Sequence, residues 1–183
     1  EFVNRYVAFV KNYKMGSPIK EETTLGPMVK KAAKKHVIKQ IEGAVAAGAR
    51  LLIADEDFPR FSENECYLAP QILVDVDHSM DIMTEETFGP AVGIMKVASA
   101  KEALQLMNDS KYGLTASIYS QDIELVEEMG PHLEVGTVFM NRCDYLDPAL
   151  SWSGLKNSGR GYALSTLGYE NLTQPKSFHI KEI

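Results

Sequence analysis

Thr115-Ala116-Ser117-Ile118-Tyr119, then Asp122-Ile123-Glu124-Leu125-Val126-Glu127-Glu128-Met129-Gly130-Pro131, then Val135-Gly136-Thr137-Val138-Phe139-Met140 follow one another with short gaps. The outer two stretches are brief, β-branched and apolar, and predict strands. In the middle one, Asp122 suits an N-cap, Ile123, Val126 and Met129 fall on one helical stripe, and Gly130-Pro131 stops the helix. Strand, helix and strand in this order predict a βαβ unit with parallel strands.

The alternation extends upstream. Gln71 to Val76 and Ala91 to Val97 predict strands, and Ser99-x-x-Glu102 is a capping box opening a helix through Leu104 and Met107. Phe2, Tyr6, Phe9, Val10 and Tyr13 recur at helical spacing up to Gly16-Ser17-Pro18. A second helix runs through Val37, Ile38, Ile41, Ala44 and Val45 and ends at Gly48. Leu51 to Ile53 is a short strand, and the acidic stretch Asp55 to Glu65 is expected to be a surface loop. Downstream, Asn141 to Gly161 turns irregular, with Pro148, Gly154, Gly159, Gly161 and the only tryptophan, Trp152. A loop of that length predicts function. Ala163 to Leu167 predicts a short helix. The tail from Gln174 to Ile183 alternates like an edge strand that finishes a sheet or pairs with a partner subunit. The expected fold class is α/β, a three-layer domain with a largely parallel sheet flanked by helices, plus a C-terminal strand of the oligomerisation type.

Composition sets outer limits. In 183 residues, 45% are hydrophobic and 24% charged, as in ordinary globular proteins. The longest apolar runs fall far short of the roughly 20 residues of a membrane-spanning helix, and no secretory signal opens the chain, which starts at Glu1 without Met. A net charge of −6 argues against a nucleic-acid surface. The basic cluster Lys30, Lys31, Lys34, Lys35 and Lys39, with His36, reads as a solvated helix face rather than a phosphate-binding stripe. Cys66 and Cys143 fit neither a metal nor a redox spacing, so no disulfide framework is expected and a cytoplasmic location is the simplest. The patterns Asn108-Asp109-Ser110 and Asn171-Leu172-Thr173 read as chance matches to a glycosylation acceptor.

Several chemistries lack their residues. His36, His78, His132 and His179 never reach a ligand spacing, so no metal is expected, and no Gly-x-Ser-x-Gly elbow occurs. Gly154 to Gly161 looks like a phosphate loop, but the positions that need Lys and a hydroxyl hold Arg160 and Gly161. A backbone turn fits better, its glycines supplying positive φ.

Five stretches carry a family likeness. Glu85-Glu86-Thr87-Phe88-Gly89-Pro90 resembles the Glu-Glu-x-Phe-Gly-Pro signature of the aldehyde dehydrogenase superfamily. Tyr112-Gly113-Leu114-Thr115-Ala116-Ser117, Gly136 to Asn141, and Trp152 to Gly161 resemble further family landmarks in the same order. The early Gly16-Ser17-Pro18 and Leu25-Gly26-Pro27-Met28 fit as well, so the resemblance spans essentially the whole chain.

The resemblance implies roles residue by residue. Glu86 would accept hydrogen bonds from the nicotinamide-ribose hydroxyls of NAD or NADP, a task suited to an acceptor-only carboxylate. Phe88 would lie near the nicotinamide ring, its alternative being ordinary core packing, and Leu114 would line the same pocket. Asn141, Arg142 and Cys143 begin the loop that shapes the aldehyde entrance, up to Leu150. Trp152 stands where the family has an aromatic wall, and Cys66 reads as a small buried or partly buried residue. The family's nucleophilic Cys, base Glu, oxyanion Asn and dinucleotide-binding half all precede the segment matched here. The resemblance therefore implies no catalytic residue in this chain, with Cys143 not the nucleophile. Residues 1–170 would be a portion of a catalytic domain and 171–183 a C-terminal arm. The parent would oxidise an aldehyde to a carboxylic acid with NAD(P)+ through a cysteine thiohemiacetal, as a homo-oligomer. This chain alone would be inactive, self-associating, and unable to bind the cofactor tightly. The alternative is a non-catalytic binding or oligomerisation module derived from that family.

Overall fold

A computed structural model describes residues 1–61, 65–143 and 145–183. It divides into two compact units, residues 1–96 and 97–183.

The first unit is built by two helices and a three-stranded sheet. Helix α1, Phe2–Val10, and helix α2, Lys31–Ala46, follow the apolar periodicity. The chain leaves α2 through Ala47 into Gly48, whose φ of 111° is one that residues with a Cβ rarely adopt. Strand β1, Arg50–Leu51, pairs antiparallel with β2, Gln71–Val74. The short helix α3, Asp81–Thr84, then returns the chain so that β3, Ala91–Gly93, lies parallel to β2. Val37, Ile41 and Ala44 of α2 occupy one helical face. They pack with Leu73, Val76, Met80 and Ile82 in one cluster, while Val10, Ile53, Phe58 and Ile72 form another. The acidic segment thus conceals more than its polarity suggests. Asp55–Asp57 forms a turn of 3-10 helix, and Phe58 after it is only 5% exposed. Residues 62–64 of that predicted loop lie outside the described residues.

The second unit holds the βαβ motif. Helix α4, Ala100–Asn108, starts at Ser99, whose hydroxyl accepts from Glu102 N at 3.1 Å. The Glu102 carboxylate reaches back to Ala98 N at 2.6 Å, one residue before the cap. Strand β4, Tyr112–Gly113, precedes β5, Thr115–Ile118. Helix α5, Ile123–Met129, is capped by Asp122, which accepts from Leu125 N at 3.0 Å. Strand β6, Thr137–Met140, then pairs parallel with β5. The predicted irregular stretch is more ordered than expected, holding β7, Trp152–Ser153, and β8, Leu155–Lys156. Strand β8 pairs antiparallel with β4, and β7 with β9, Tyr162–Ala163. The helix expected over 163–167 is a 3-10 helix at Thr166–Leu172.

The tail predicted as a strand has no assigned element in this single chain, and residues 171–183 are exposed throughout. A strand exists only through hydrogen bonds to a neighbour, so alternation cannot form one alone. Among the described residues no helix is long and apolar enough to cross a membrane.

Candidate functional site

The signature turn in the first unit links α3 to β3. Glu85 caps α3, its N–H donating to Asp81 O at 2.8 Å. Pro90 O accepts from Gln71 N at 2.8 Å, which fixes the other end of the turn to β2. Gly89 sits against α2 so closely that a Cβ there would come within 2.7 Å of Val37 Cγ2 and 3.0 Å of Met28 Cε. His36 Nε2 lies 3.3 Å from Glu86 O, tying the same turn to α2. Between these fixed points the Glu86 side chain is exposed. Phe88 adopts a φ of 48° and is 82% exposed. Left-handed backbone costs a bulky residue about 1–3 kcal/mol and persists only where the surroundings hold it in place. The core-packing alternative for Phe88 does not hold within this unit.

The second unit carries its predicted residues on the β6–β7 connection. Asn141, with a φ of 55°, closes the β5–β6 pair. Its Nδ2 donates to Ser120 O at 2.8 Å and its Oδ1 accepts from Ser120 N at 3.0 Å. The amide is thereby occupied with backbone rather than open for a ligand. Arg142 lies over the ring of Tyr145, its guanidinium carbon 3.8 Å from the ring centre. A cavity of about 180 Å³ opens beside this pair, lined also by Asp147, Leu150, Trp152 and Leu164. The structure brings Arg142 and Trp152 to one wall. Asn141, Cys143 and Leu114 are not on it. Cys143 is a free, exposed thiol and Leu114 is 41% exposed, its carbonyl accepting from Gly136 N and Thr137 N at 3.1 Å. Cys66 is half-buried, as expected. Asp144 lies outside the described residues.

Sequence reasoning missed what holds this wall. Tyr145 and Leu150 line it without any motif to mark them. Gly136 faces Ser153 O so closely that a Cβ would overlap it, and Gly113 stands in the same relation to Glu134 O. Lys156, inside the run set aside as a phosphate loop, donates to Asn108 O at 2.7 Å and Ser110 O at 2.9 Å. Its ammonium also pairs with Glu134 at 2.5 Å. It serves the carbonyls left open at the end of α4, where a cation suits the helix dipole. Ser158 Oγ accepts from Gly113 N at 2.9 Å. The run is a structural clasp. Among the described residues no three His, Cys, Asp or Glu side chains gather as a metal site.

Comparison with known proteins agrees with this geometry. A model of the aldehyde dehydrogenase family matches residues 1–178. A chloroplastic betaine aldehyde dehydrogenase of Atriplex hortensis is 36% identical over 93% of this chain and 34% of its own length. A peroxisomal aminoaldehyde dehydrogenase of Malus domestica shows the same identity and coverage. A succinate-semialdehyde dehydrogenase of Burkholderia pseudomallei superposes with a TM-score of 0.85 at 34% identity, over 93% of this chain and 35% of that one. A betaine aldehyde dehydrogenase of Staphylococcus aureus, in complex with NAD+, gives 0.83 at 29%, over 93% and 34%. The chain thus spans about a third of the length of the relatives it matches. With the signature turn in the first unit and the clasped loop in the second, the chain belongs to the aldehyde dehydrogenase family.

Proposed function

We propose that this chain is the part of an NAD(P)+-dependent aldehyde dehydrogenase that supplies the nicotinamide-ribose contact and one wall of the substrate tunnel. The observation that carries the reading is Phe88, a large ring turned to solvent on left-handed backbone two residues after an exposed carboxylate. A core residue would be covered; one that meets a planar ligand needs this exposure. Glu86 would accept the two ribose hydroxyls and Phe88 would offer its face to the flat ring beyond them. When bound, the cofactor supplies a hydride acceptor. What these residues contribute is placement and exclusion of water. Leu114, in the second unit, offers an apolar side chain that is 41% exposed. Asn141 shapes the aldehyde entrance through its grip on Ser120, Arg142 and Trp152 meet the substrate there, and Cys143 belongs to the same loop without reaching that wall. The 183-residue chain by itself, without the family's nucleophile and base, turns over no aldehyde.

The test is aldehyde-dependent NADH formation by the full-length gene product and by this chain. Activity in the first and none in the second is expected. Glu86→Gln in the full-length enzyme should raise the KM for the dinucleotide about tenfold, the worth of a charged hydrogen bond. Turnover by the 183-residue chain, lost on Cys143→Ala, would overturn the reading.

A second reading rests on the exposed tail. Leu172 is 83% exposed, Phe178 77% and Ile180 81%, an alternating apolar edge that a second copy could cover. Residues 171–183 would then be an arm for homo-oligomer formation. Sedimentation of the chain with and without that arm tests it, a monomer in both cases being the adverse result. The two free thiols, Cys66 and Cys143, support a reducing compartment such as the cytosol.

A further inference from the structure

Two charged side chains, Arg142 and Asp147, line this cavity. Asp147 Oδ1 already accepts from Ala149 N at 2.9 Å. Among the described residues, the contact that engages the Arg142 guanidinium is the face of Tyr145, 3.8 Å away. A cation–π contact takes up none of the five N–H donors in a hydrogen bond to oxygen, so the group keeps its capacity to bind an anion. Tyr145 also restricts the side chain, so less rotamer freedom is lost when those donors bind. Leu150, Trp152 and Leu164 supply apolar surface around it. A cavity of about 180 Å³ suits a chain of a few carbon atoms. A guanidinium fork beside this partly apolar cavity, with one oxygen of Asp147 already bonded to Ala149 N, matches a carboxylate in shape and charge.

We infer that Arg142 makes this wall selective for short aldehydes that carry a carboxylate at the end remote from the reacting carbonyl. The inference rests on the tunnel-wall reading for its substrate, but the anion site itself can be measured without turnover. Trp152 is the only tryptophan and lines the same cavity, so its fluorescence reports occupancy. The 183-residue chain is titrated with butanoate, an unreactive stand-in for the carboxylate end, and separately with butanamide and butylammonium. Butanoate should change the emission saturably, and the neutral and cationic analogues should not at the same concentrations. Arg142→Gln should weaken the butanoate response about tenfold, as expected for a lost charged hydrogen bond, and Arg142→Lys should restore part of it. An equal response to butanamide, or one that survives Arg142→Gln, overturns the inference.

The full-length enzyme separates this inference from the activity it rests on. Its kcat/KM for a carboxylate-bearing aldehyde, relative to an uncharged one of equal length, should fall about tenfold in Arg142→Gln, through KM with kcat held. Aldehyde turnover with an unmoved ratio overturns the specificity and leaves the activity standing. Arg142-dependent binding of butanoate without turnover of any aldehyde does the reverse: the anion site stands and the activity fails.

Discussion

The two units are held together by different means. Residues 1–96 rest on buried apolar side chains, with Val37, Ile72 and Leu73 at 0–1% exposure. In residues 97–183 helix α4 buries no residue fully, Val126, Met129, Leu133 and Phe139 are less deeply covered at 6–9% exposure, and polar clasps and close backbone approaches add to them. Asn108 illustrates the second manner, donating to His132 O at 2.8 Å and accepting from Glu134 N at 2.9 Å. Apolar burial is tolerant of shape and strong in sum. Clasps are weaker one by one but set position closely, which would suit the substrate wall proposed for Arg142 and Trp152.

Leu73→Ala should give the largest loss, about 3–4 kcal/mol, because a fully buried Leu leaves a cavity. Urea unfolding followed by amide exchange in β2 and β3 would show it; a loss below about 1 kcal/mol would remove the first half of the contrast. Gly136→Ala should cost nearly as much, about 3 kcal/mol, since its new methyl meets the Ser153 carbonyl. The near-ultraviolet signal of Trp152, next to that carbonyl, is the readout. Lys156→Met should cost about 2 kcal/mol by leaving two carbonyls and Glu134 without their cation. If it proves neutral, clasps are not what holds the second unit.

A smaller effect of opposite sign is expected at Ser165. Its backbone, at φ 53° and ψ −176°, lies in a region that glycine alone occupies freely. Ser165→Gly should raise stability by about 1 kcal/mol, even after losing the hydroxyl that accepts from Leu167 N. The smallest effect concerns acid. Lys11 donates to Asp57 at 3.1 Å, and with Ala54 N–H it holds that carboxyl below its ordinary 3.8. A depressed carboxyl stabilises the fold above its unfolded value and loses that contribution as pH falls through the folded one. Asp57→Asn should therefore narrow the difference in melting temperature between about pH 5 and about pH 3, and an unchanged difference would show the pair to be idle.

Much of this was legible from residues alone, and the division follows range. Asp122, Ser99 and Gly130-Pro131 act on neighbours a few positions away, so the helices they bound were predictable. The family signature was legible as a motif, which is why Glu86 and Phe88 stand as proposals for the site. Lys156 was not, because its partners lie 46 and 48 positions upstream and meet it only through the β4–β8 pairing. Gly136 reads like any turn glycine until Ser153 is folded over it. The tail pattern is correct for a strand but depends on a neighbour that one sequence cannot supply. Tyr145 became a site residue through its stacking under Arg142, a contact that no spacing rule describes.

The loop after β6 is anchored at both ends and open in its middle. Asn141 and Gly136 secure the entering strand, and the β7–β9 ladder secures the exit. Mutational tolerance should therefore be sharply uneven along it. Changes at Arg142, Tyr145 or Leu150 alter the cavity surface while the stem keeps its register, so a library randomised at those three positions would stay folded. If the proposed wall meets substrate, diversification of preference has a confined place in which to occur, a few side chains wide, on a frame that does not have to be reinvented each time.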